Sequence, residues 1–133
     1  MLKDISPMSI FLGMLLSQVA AATAAIALMI LFILVYGNEV LVAFFEYPSS
    51  ILITIFFTWL SIFIGGYCAM LLSKKALVNP LIVGVLNLLL NLWFMYLIDF
   101  KYGGDYAWML IIAVILIIPS SLLGGYAYRI RNQ

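Results

Sequence analysis

Residues 5–38 read ISPMSIFLGMLLSQVAAATAAIALMILFILVYGN and carry no charged side chain. A helix needs about 20 predominantly apolar residues to cross the hydrocarbon core of a bilayer, and this run exceeds that length. Its start has the outline of a secretory signal: Lys3, an apolar stretch from Met8 to Leu16, and small residues from Ala20 to Ala25. The apolar run nevertheless continues to Tyr36, beyond the length of a signal core, and reads as a first transmembrane helix.

Three more uncharged runs follow, over residues 47–73, 76–98 and 106–128. Each is long enough to span, and none alternates apolar with polar as a membrane barrel strand would. The expected fold is an all-α integral membrane protein, a single domain over 1–133 with four transmembrane helices arranged as two helical hairpins. The expected spans are about 7–36, 50–73, 80–98 and 106–128, with an interfacial segment over about 38–47. Composition agrees: 68% of residues are hydrophobic and 8% charged, against roughly a quarter charged in ordinary soluble domains. There is one cysteine, Cys68, and no histidine. An intrachain disulfide is therefore excluded, and the commonest metal ligand and neutral-pH base is missing.

The charges sort by side. One side would hold Lys3, Asp4, Lys74, Lys75, Arg129 and Arg131; the other would hold Glu39, Glu46, Asp99, Lys101 and Asp105. Short loops rich in Lys and Arg stay cytoplasmic, so both termini are expected inside a cell membrane such as the bacterial inner membrane. Lys74, Lys75, Arg129 and Arg131 are the expected cytoplasmic anchors. Ser6-Pro7 and Asn79-Pro80 each place a capping residue before a proline, marking two helix starts. Across 38–47, Val40, Leu41, Phe44 and Phe45 share a face, which suits a short helix in the outer interface or a loop with apolar anchors. Residues 101–105 read as a tight turn.

The second and fourth helices end alike. Ser61-Ile62-Phe63-Ile64-Gly65-Gly66-Tyr67 is followed by Lys74-Lys75, and Ser120-Ser121-Leu122-Leu123-Gly124-Gly125-Tyr126 by Arg129 and Arg131. The match suggests a parallel internal repeat of two hairpins, with helices two and four pseudo-equivalent about an axis along the membrane normal; shared rules for helix ends would produce the same likeness. The Gly-Gly-Tyr endings resemble those of small four-helix membrane proteins of bacteria, a resemblance that implies no particular activity.

Lipid tails are as apolar as leucine, so membrane helices associate through close packing and interhelical hydrogen bonds. Small residues recur four apart at Gly13, Ser17, Ala21 and Ala25 in helix one, and at Ser61, Gly65 and Ala69, beside Gly66, in helix two. Gly124 and Gly125 serve helix four. These faces are expected to bring helices one, two and four closest, with helix three adding bulky contacts. Pro119 removes a hydrogen bond to the Ile115 carbonyl and should kink helix four.

No ionisable side chain lies within a span, which weighs against proton coupling. The small multidrug transporters depend on a glutamate in their first helix, and this chain has none between Ile5 and Asn38. Gln18 and Asn91 each lie eleven residues past a helix-starting proline, a rise of roughly 16 Å. With Asn87 one turn below Asn91 and Ser61 at a comparable level, they suggest one polar, uncharged layer. It would serve as interhelical glue or line a small cavity. Nucleophilic catalysis lacks a base, the loop carboxylates are explained by topology, and nothing supports a cofactor, a metal or nucleic-acid binding. The expected role is non-enzymatic: an accessory, assembly or regulatory subunit whose partners are the bilayer and another membrane protein or a second copy. A homo-oligomeric channel, an uncoupled small-solute transporter, or an immunity-type or lysis-type membrane protein are the alternatives.

Overall fold

The structure is a computed structural model and describes residues 2–37, 48–73, 76–98 and 107–132. Among these residues every regular element is helical. A 3-10 turn at Leu2–Asp4 precedes α1 (Pro7–Tyr36), α2 (Pro48–Ser73), α3 (Val78–Ile98), α4 (Ala107–Ile115) and α5 (Ile117–Arg131). Two stretches are long and apolar enough to cross a membrane: Pro7–Val35, with mean hydropathy 2.5, and Leu52–Leu71, with 1.8. Val78–Trp93 is apolar but shorter. The interfacial segment, the 101–105 turn and the anchors Lys74 and Lys75 lie outside the described residues.

Local chemistry sets the helix ends. Ser6 caps α1 from an extended conformation, its hydroxyl oxygen accepting the Ser9 N–H at 3.3 Å, and Pro7 fills the first helical position. At the other end Gly37 takes φ +64°, a left-handed value that costs glycine little, and its N–H returns to the Ile33 carbonyl.

The start of α3 differs from the expected cap. The helix begins at Val78, so Asn79 and Pro80 lie inside its first turn, where a proline is still tolerated. Asn79 is fully buried and caps the other helix instead. Its Oδ1 accepts the Ser6 N–H at 2.9 Å, and its Nδ2 donates to the Asp4 carbonyl at 3.0 Å. The beginnings of α1 and α3 are thereby pinned together.

Helix four is interrupted where its proline requires. Leu116 separates α4 from α5, three residues before Pro119, whose ring cannot accommodate a regular turn upstream. Beside the break the Leu116 carbonyl accepts both the N–H and the Oγ of Ser120, at 3.0 and 2.8 Å, and Trp59 Nε1 of α2 donates to the Ala113 carbonyl at 3.0 Å.

Around the bundle the order is α1, α2, α5, α3, with α3 returning to α1. The longest seams run between α1 and α2 and between α2 and α5; α1 shares no such seam with α5. The expectation that helices one, two and four come closest, with helix three adding bulky contacts, is therefore corrected: among the described residues helix two meets both one and four, but one and four share no seam. α3 also approaches α5 closely, since a Cβ at Gly84 would come within 3.1 Å of the Ile118 Cα.

One end of the bundle gathers the starts of α1 and α3 and the ends of α2 and α5, and glycines close it. A Cβ on Gly13 would lie 2.8 Å from the Gly65 carbonyl oxygen and 2.9 Å from Val83. One on Gly66 would strike the Ser121 carbonyl, and one on Gly124 the Phe63 carbonyl. A Cβ on Gly125 would strike the Pro80 ring. The matched pairs are used differently: Gly65 faces α1 and Gly66 faces α5, while Gly124 faces α2 and Gly125 faces α3. Tyr67 packs edge-on against Tyr128 with ring centroids 5.2 Å apart, whereas its sequence counterpart Tyr126 is exposed.

Candidate functional site

Above the glycine-closed end, α1, α2 and α3 diverge around a cavity of about 180 Å³. Its walls come from Ser17, Gln18 and Ala21 of α1, Thr58, Ser61 and Ile62 of α2, and Asn87, Leu90 and Asn91 of α3. The four residues read from the sequence as a polar layer, Gln18, Ser61, Asn87 and Asn91, all line this space. None of the lining side chains is ionisable.

The polar groups divide into two kinds. Asn87 and Ser17 form a buried knot. Asn87 Oδ1 accepts from Gln18 Nε2 at 2.9 Å and from Ser17 Oγ at 3.5 Å. Asn87 Nδ2 lies 3.0 Å from the Val83 carbonyl, 3.3 Å from Ser17 Oγ and 3.4 Å from Met14 Sδ. Both residues are almost wholly inaccessible, and their bonding capacity is used inside the bundle.

The second kind keeps capacity in reserve. Asn91 Nδ2 donates one hydrogen to the Asn87 carbonyl of its own helix at 2.8 Å. The hydroxyls of Thr58 and Ser61 donate to the Thr54 and Phe57 carbonyls, also within their own helix, leaving their oxygens as acceptors. Gln18 Oε1 and Asn91 Oδ1 accept no hydrogen bond among the described residues, and each amide retains one further N–H. The wall therefore combines several acceptors with two donors.

Why Gln18 reaches Asn87 rather than Asn91 follows from side-chain direction. The Ser6–Asn79 bond places α1 and α3 in a register that puts Gln18 level with Asn91. Helical side chains lean toward the N-terminus, and the longer glutamine drops by a turn to meet Asn87.

The predicted packing residues take three roles along the chain. Gly13, Ser17, Gly65 and Ala69 meet in the α1–α2 seam; Gly66, Gly124 and Gly125 close the α2–α5 and α3–α5 contacts. Ala21 lines the cavity, and Ala25 is exposed. Of the anchors, Arg129 and Arg131 are exposed, and Arg131 Nη1 donates to the Tyr67 hydroxyl at 3.2 Å. Thr58 and Trp59 were not anticipated. Their only sequence signal was polarity within an apolar run, at a face that could not be assigned without knowing which helix lay opposite.

No family model matches the chain, and no curated protein or solved structure matches it either.

Proposed function

We propose that this chain is a multi-pass membrane protein of four helices in two hairpins, both termini cytoplasmic, acting without catalysis as an accessory, assembly or regulatory subunit of a membrane complex. The observation that carries this reading is the uneven burial of α1. Ser9, Gly13 and Ser17 are buried, Gly13 and Ser17 against α2 and α3, whereas over residues 22–35 Phe32 alone is buried. That distal half exposes Ile26, Ile30 and Leu34 together with the small residues Ala22, Ala25 and Ala27. An apolar helix surface carrying small residues suits close approach by a helix of another membrane protein.

Photocrosslinking in native membranes tests this. A photoreactive side chain at Ile30 should trap one discrete larger protein, while the same group at exposed Leu123 of α5 should label lipid only. Lipid adducts alone at Ile30 would refute the reading. A ladder in multiples of 14.9 kDa would instead favour the oligomeric channel or uncoupled transporter, the second reading, which the uncharged cavity supports.

A further inference from the structure

We propose that the cavity between α1, α2 and α3 binds one small uncharged solute rich in hydrogen-bond donors, with the size and chemistry of urea or a primary amide. The proposal is independent of which membrane partner α1 meets.

The argument begins with the free groups. Gln18 and Asn91 are part-buried side chains whose spare amide groups open onto the cavity, so an occupant that pairs with them is favoured over an apolar one. Gln18 Oε1 and Asn91 Oδ1 are uncommitted acceptors, and Thr58 and Ser61 add hydroxyl oxygens whose hydrogens already serve their own helix. Donors are fewer: one remaining N–H on each of the two amides. The complementary guest therefore offers more N–H or O–H groups than acceptor atoms, as urea and primary amides do.

Size and charge narrow the class. At about 30 Å³ per water, 180 Å³ corresponds to on the order of six waters, or one molecule of a few non-hydrogen atoms. An ion is disfavoured because no lining side chain carries a compensating charge. A lipid chain is disfavoured because it would leave both amides unpaired. Ile62 and Leu90 supply apolar wall beside the polar one, which orients a planar guest with its donors toward Gln18 and Asn91.

The test uses the full chain in bicelles with ¹⁵N-glutamine, since glutamine occurs only at 18 and 133. Acetamide should shift the Gln18 side-chain amide resonances saturably and leave those of Gln133 unchanged. N,N-dimethylacetamide, which lacks donors, should not shift Gln18. Ala21→Leu, which fills the cavity, should abolish the response. Asn91→Leu, whose native amide bonds only within its own helix, should weaken apparent affinity about tenfold, the loss of one hydrogen bond. Thr58→Val provides a further fold-preserving variant with a smaller loss in the same direction. The proposal is overturned if Gln18 shows no saturable shift, if the dimethyl compound acts equally, or if the response survives in both Ala21→Leu and Asn91→Leu.

Discussion

The two halves of α1 are similarly apolar but occupy different surroundings. From Ser9 to Ser17 the helix meets α2 and α3 through Gly13 and Ser17, so closely that a methyl group on Gly13 has no space. From Ala22 to Val35 it offers large aliphatic side chains in nearly every direction and buries only Phe32. Hydropathy does not separate these halves. What separates them is where small side chains coincide with small side chains on a neighbouring helix, the pattern by which close packing associates helices in lipid. Between the halves lies the cavity, at the level where the small-residue stripe of α1 stops meeting a partner.

Substitutions along this boundary sharpen the contrast. The largest effect is expected at Gly124, where even an alanine methyl would collide with the Phe63 carbonyl and force α2 from α5. Gly124→Ala should cost at the upper end of the ~1–3 kcal/mol typical of overpacking, read by steric-trapping unfolding in bicelles. Next comes Asn87→Leu, which takes the acceptor from Gln18 Nε2 and the donor from Ser17 Oγ, whose own hydrogen stays on the Met14 carbonyl. A loss of about 1–2 kcal/mol is expected in the same assay, in line with interhelical hydrogen bonds in membranes.

Asn79→Ala removes the clamp between the N-terminal turn and the start of α3 and leaves the glycine contacts of the longest seams intact. Its effect should be local: amide exchange at Ser6 accelerates, while global unfolding changes by only about 1 kcal/mol. The smallest change belongs to Thr58→Val, nearly isosteric and bonded only to its own helix, which should alter stability by less than about 0.5 kcal/mol. A large loss there would mean that Thr58 holds a contact across the bundle.

Much of this arrangement was legible in the residues. Long uncharged runs placed the helices, spacings of four marked Gly13, Ser17, Gly65 and Ala69 as seam residues, and equal distances from two prolines placed Gln18 level with Asn91. Sequence conveys depth along a helix well, because rise per residue is constant. It conveys azimuth and partner poorly. Asn79 looked like a cap for its own helix because nothing in the chain shows that Asp4 and Ser6 fold against it. The repeated Gly-Gly pairs looked equivalent, yet their neighbours differ because α2 lies between α1 and α5, while α5 lies between α2 and α3. Pro119 announced a break, but that Trp59 would serve a carbonyl beside it depended on α2 passing there.

The central claim is that the bundle is full at Gly13 and hollow at Ala21, two positions on one helix about 12 Å apart. The direct measurement is the unfolding free energy of Gly13→Leu and Ala21→Leu in identical bicelles. Leucine raises intrinsic helix propensity over glycine, so any loss at Gly13 must come from packing. The account predicts a loss of more than about 2 kcal/mol for Gly13→Leu and a neutral or stabilising effect for Ala21→Leu. Equal losses at both positions, or a larger loss at Ala21, would contradict it.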